Sequence, residues 1–90
     1  MNKEKVFEEI PQALQNEIDK YKKTVAATKT QMNILLVENT KEYSCVYIQA
    51  DSELIVFTYN MKWGILRENM LLSSIQKFTR ISKEIRMAIK

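Results

Sequence analysis

The chain has 90 residues, no His, one Cys, one Gly and one Pro, and a formal net charge of +3. Without His, Ser-His-Asp and Cys-His catalytic arrangements are excluded, and one thiol can neither staple the fold nor build a zinc site. At 46% hydrophobic and 28% charged, the composition is that of an ordinary globule rather than a disordered or membrane-spanning chain.

The N-terminal third reads as helix. Phe7, Ile10, Leu14, Ile18, Tyr21, Val25, Thr28 and Met32 recur at intervals of three or four, which lays them along one stripe of an α-helix. Asp19, Lys20 and Lys23 fall off that stripe. Pro11 suits a first helical turn, where a missing N–H is tolerated. A short turn near residues 3–9 and a main helix from about 11 to 29 are expected, packed on a sheet.

The middle third reads as β. The apolar run Asn33 to Val37 ends in a polar turn, and Tyr43 to Ile48 follows, rich in β-branched and aromatic residues. Gln49 to Glu53 forms the next turn, and Leu54 to Tyr59 the third strand. Turns of about five residues join antiparallel strands, because parallel ones need a crossover of a dozen or more. The segment Met61 to Glu68 fits either a fourth strand entered through Asn60 to Gly64 or the start of the last helix.

The last third reads as helix again. Leu71, Ile75, Phe78, Ile81, Ile85 and Ile89 share one face. Ser73 followed by Gln76 fits a capping box that starts the helix near residue 74, and Asn69 is a rival cap that starts it near 70. Neither repeats nor a linker interrupt residues 1–90. The expected fold is α+β: a single small domain with a helix, a three-stranded antiparallel meander (with room for a short fourth strand) and a C-terminal helix.

Both faces of such a sheet are apolar. Tyr43, Cys45 and Tyr47 oppose Ser44, Val46 and Ile48, and Ile55, Phe57 and Tyr59 oppose Leu54, Val56 and Thr58. Helices on one side would leave the other bare, and a bare apolar face marks an interaction surface. The helices can split one per face, a second copy can cover it as a homodimer, or a ligand can stack on the aromatics. The leading expectation is a non-catalytic interaction module of the regulator, adaptor or inhibitor type. It binds a protein partner, itself, or both, with Tyr43, Tyr47, Phe57, Tyr59 and Trp63 as contact residues, since Tyr and Trp dominate interface energetics.

Nucleic-acid binding is the alternative. The thirds of the chain carry +1, −3 and +5, so the basic surplus lies in the last third. Lys77, Arg80, Lys83, Arg86 and Lys90 could contact phosphates, with Lys62 and Arg67 nearby. The order helix, three strands, helix resembles in topology that of double-stranded-RNA-binding domains. That family opens its second helix with a Lys cluster beside an Ala. Here the helix opens Ser73-Ser74-Ile75-Gln76-Lys77, and the family's glycine-bearing β loop is absent.

No enzyme is expected. Gly64 alone cannot form a phosphate-cradling loop, mid-strand Cys45 reads as a buried small hydrophobe, and Asp51 and Glu53 read as solvated turn residues. No cofactor, metal or membrane contact is expected. The lone Cys and the absence of a readable secretory signal point to the cytoplasm.

Overall fold

The computed structural model describes residues 9–73 and 83–88. It is an α+β arrangement: helix α1 (Gln12–Ala27), strands β1 (Met32–Asn39), β2 (Tyr43–Ala50), β3 (Glu53–Asn60) and β4 (Gly64–Leu71), and a short helix α2 (Lys83–Ala88). The strands form one antiparallel sheet in the order β1-β2-β3-β4.

Helix α1 begins where the sequence stops offering alternatives. Pro11 sits just ahead of it with φ −54° and ψ 140°, and the Pro11 carbonyl accepts from the Leu14 and Gln15 amides at 3.0 and 3.1 Å. The helix ends at Thr28, whose hydroxyl donates to the Val25 carbonyl at 2.8 Å. Lys29, at φ 61°, then turns the chain back, so that the Thr30 amide also reaches Val25 O at 3.2 Å.

Each hairpin has its own turn chemistry. Thr40 closes the first, its hydroxyl accepting from the Tyr43 amide at 3.1 Å. Asp51 takes the left-handed conformation, φ 56°, in the two-residue turn between β2 and β3, where a short polar side chain is tolerated. In the third, the Asn60 carboxamide oxygen accepts from the Lys62 amide at 2.8 Å, and Gly64, at φ 80°, starts β4.

The sheet is packed on both sides. On the first face Ile10, Leu14 and Ile18 of the helical segment meet Val46, Ile48, Ala50, Ile55 and Phe57. On the second face Leu35, Cys45, Leu54, Val56 and Met70 form a second core, and Ile85 of α2, 1% exposed, closes it. The far face is therefore not bare. Between Ile34 and Leu36 the β1–β2 register slips by one residue. This bulge places Leu35 in the second core, while Ile34 and Val37 pack on the first.

The structure decides what the sequence left open. The fourth strand is present, entered through Asn60 to Gly64, and it runs a full eight residues rather than a short stretch, paired with β3 from Asn60↔Gly64 to Glu53↔Leu71. Leu71 and Asn69 therefore belong to β4 and not to a helix. Asn69 donates to the Glu53 carboxylate at 3.4 Å and accepts from Arg67 Nε at 3.1 Å instead of capping. With four strands the element order also departs from the double-stranded-RNA-binding topology. The expected C-terminal helix is not shown as a whole: α2 is the part within the described residues, and the capping-box start near residue 74 lies outside them, as do residues 3–8 of the turn expected at 3–9.

Candidate functional site

Among the described residues, the second sheet face divides into a half under Ile85 and a more open half toward the β3–β4 turn, in which Cys45 and Val56 are nevertheless buried. Toward the β2–β3 turn, Leu54, Met70 and Leu35 lie with Ile85. Toward the other end, the pairing lays side chains in rows across the sheet. One row is Glu38, Cys45, Thr58 and Leu66, and the next is Leu36, Tyr47, Val56 and Glu68. Tyr43, Asn60 and Gly64 form the last. In these rows Leu66 is 59% exposed and Tyr43 37%. Beside Tyr43 lies a shallow depression of about 210 Å³ bordered by Tyr43, Cys45, Tyr47, Thr58 and Glu68.

The electrostatics of this half are one-sided. The Tyr43 hydroxyl donates to Glu38 Oε2 at 3.2 Å, and the Glu38 charge raises the Tyr43 pKa. Burial raises the Tyr47 pKa strongly, helped by hydrogen bonding to Cys45 and by the nearby Glu38 charge. The Cys45 thiol, 3.6 Å from Thr58 Oγ1, is pushed up mainly by burial, and the Glu38 and Glu68 carboxylates add to the rise. Thiol and phenols are thus neutral at pH 7, and Cys45 lacks the thiolate character of a nucleophile. No Lys or Arg occupies these rows, whereas Glu38 marks the β1 border and Glu68 the β4 border.

The structure separates the five aromatics read from the sequence. Tyr43 and Tyr47 stand on the second face. Phe57, 2% exposed, and half-buried Tyr59 belong to the first face. The Phe57 ring meets Tyr21 edge-on at 5.7 Å. Trp63, 77% exposed, stands in the β3–β4 turn beside Met61, 85% exposed. Arg67 lies on the first face, its guanidinium 4.7 Å from the centre of the Tyr21 ring, a cation–π contact that ties β4 to α1.

Of the basic residues, Lys83 is exposed and Arg86 falls within α2. Lys77, Arg80, Lys90 and the side chain of Arg86 lie outside the described residues. Leu66, Met61, Glu38 and Glu68 were not singled out by sequence. For Leu66 and Glu68 the signal was the strand period of residues 64–71, which is hidden because Arg67, Glu68 and Asn69 interrupt any apolar alternation.

No protein-family model, curated protein or solved structure matches the chain. No helix among the described residues is long and apolar enough to cross a membrane.

Proposed function

We propose that this protein is a small non-catalytic interaction module, of the regulator, adaptor or inhibitor type, working in the cytoplasm. It binds a protein partner through the open half of the second sheet face and the adjoining β3–β4 turn. The observation that carries the reading is the clustering of exposed apolar side chains. Tyr43, Met61, Trp63 and Leu66 are four of the six large hydrophobics exposed among the described residues, and all lie toward one end of the sheet. Such clustering marks contact surfaces, whereas apolar residues scattered singly do not. Tyr43, Tyr47 and Trp63 are the contact residues of this reading; Phe57 and Tyr59 support it from the first face.

The test compares wild type with Leu66→Glu. A solution mass that rises with concentration in the wild type alone, or a protein retained by wild type and lost by the variant, supports the reading. A wild type that stays monomeric and retains nothing the variant loses overturns it. Duplex and single-stranded nucleic-acid probes are the counter-test. A salt-sensitive shift at micromolar protein transfers the assignment to Lys77, Arg80, Lys83, Arg86 and Lys90.

A further inference from the structure

We propose that the outer edge of β4 takes an extended acidic segment of a partner protein as a fifth strand, with a carboxylate of that segment seated on Arg67. This rests on the interaction reading above and gives its partner a chemistry.

One side of the β4 backbone is committed and the other is not. The Leu72 amide donates to the Ser52 carbonyl at 2.9 Å, which continues the β3–β4 ladder by one step. Hydrogen-bonded positions alternate along an antiparallel strand, so Gly64, Leu66, Glu68 and Met70 turn their backbone groups to β3. Ile65, Arg67, Asn69 and Leu71 turn theirs outward, where among the described residues β4 has no neighbouring strand. Leu66, Arg67, Asn69 and Leu71 are exposed. Such a row of outward N–H and C=O groups is a template for an added strand. The opposite edge, β1, is interrupted by its bulge, whereas β4 keeps its register throughout.

The charge follows from Arg67. Its guanidinium lies 4.7 Å from the centre of the Tyr21 ring and 5.9 Å from that of Phe57, which holds it over the first face. Its Nε donates to Asn69 Oδ1 at 3.1 Å, and among the described residues it forms no ion pair. A guanidinium fixed in place with its terminal nitrogens uncommitted is a fork for a carboxylate. It borders a groove of about 410 Å³ between α1 and β4 that Lys20 and Ile65 also line. Glu17, in the same groove, is engaged by Lys20 at 3.4 Å.

The register of an added strand brings the two features together. Side chains directly opposite across an antiparallel pair lie on the same face. The partner residue facing Arg67 therefore projects to the first face, and an Asp or Glu there reaches the fork. Its neighbours in the segment project to the second face, one of them against Leu66. A second copy is the poorer occupant. Joined antiparallel about a two-fold axis, its β4 presents Ile65, Arg67, Asn69 and Leu71 on the first face, and none of them is a carboxylate.

The experiment uses the full chain and a synthetic peptide of about eight residues, enough for one strand. The probe alternates Thr, for the side of Arg67, with Val, for the side of Leu66, and carries one central Glu in place of a Thr. One control peptide has Lys at that position, and another has N-methyl groups on the amides that would face β4. Binding is followed by calorimetry and by hydrogen exchange of the β4 amides. Expected is saturable one-to-one binding of the Glu peptide, at least about tenfold tighter than the Lys peptide, weakening as salt rises. Exchange at Ile65, Arg67 and Asn69 slows on binding, and the N-methylated peptide does not bind. Arg67→Gln weakens the Glu peptide about fivefold without weakening the Lys peptide, while Lys23→Gln, on the exposed side of α1, leaves both unchanged. Equal affinity for the Glu and Lys peptides, indifference to N-methylation, or no binding overturns the proposal. Slowed exchange at those amides as the protein alone is concentrated makes the occupant a second copy, which overturns this inference and leaves the interaction reading standing. If no peptide binds and Leu66→Glu changes neither solution mass nor the proteins retained, both fall.

Discussion

The two faces of the sheet are built from similar strands, and among the described residues each is met by a different helix. Helix α1 has 16 residues, about 24 Å at 1.5 Å per residue, nearly the length of an eight-residue strand. It carries Leu14 and Ile18, with Ile10 just ahead of it, onto a first face where Val46, Ile48, Ile55 and Phe57 are at most 2% exposed. Helix α2, within the described residues, brings Ile85 at 1% exposure onto the second face. The first face thus takes Ile10, Leu14 and Ile18, spread along one helical segment, where the second takes Ile85.

The largest expected effect breaks the first face. Leu14→Ala or Ile18→Ala removes a side chain with no exposed surface and costs about 2–5 kcal/mol, lowering the midpoint of thermal unfolding by roughly 10–20 °C. Ile85→Ala tests the second. It costs about 2 kcal/mol, and native-state labelling of Cys45, 4% exposed in the same core, quickens more than the global loss of stability accounts for. Unchanged labelling would mean that Ile85 does not guard that core.

An alkaline titration sharpens the comparison further. Cys45, Tyr43 and Tyr47 on the second face are raised above their ordinary values of 9.0 and 10.0; on the first face Tyr21 is raised, mainly by burial. Raised acids stay protonated when folded while the unfolded chain ionises, so the unfolded state binds fewer protons and stability falls with rising pH. Unfolding in urea is expected to be level from neutrality to about pH 9 and to weaken above it. Tyr47→Phe flattens that slope more than Tyr21→Phe does. The smallest effect on stability is that of Leu66→Glu, within about 0.5 kcal/mol because the site is exposed, although the same change removes association.

The helix and the first three strands were legible because each has a clean period. The stripe from Ile10 to Val25 returns as buried residues at Ile10, Leu14, Ile18 and Val25, and the strand faces alternate as Val46 and Ile48 against Cys45 and Tyr47. Strand β4 was legible only as an alternative to a helix start, because an edge strand buries little: only Met70 of its eight residues is buried. Its identity is set by pairing with β3 and by the turn at Asn60 and Gly64, which are tertiary and backbone facts rather than a pattern of apolar residues. The open half of the second face shared that fate, since Leu66 and Glu68 gain their neighbours only once β4 is in register. Glu38 looked like part of a turn for the same reason, because β1 extends to Asn39.

The extra residue at Leu35 gives the sheet two unlike margins. β1 is kinked where the bulge interrupts its ladder, and a kinked margin resists being laid flat against another chain. β4 keeps an unbroken register along its length. The bulge thus guards one margin of the sheet against edge-to-edge pairing, while the straight margin carries exposed Leu66 and Leu71.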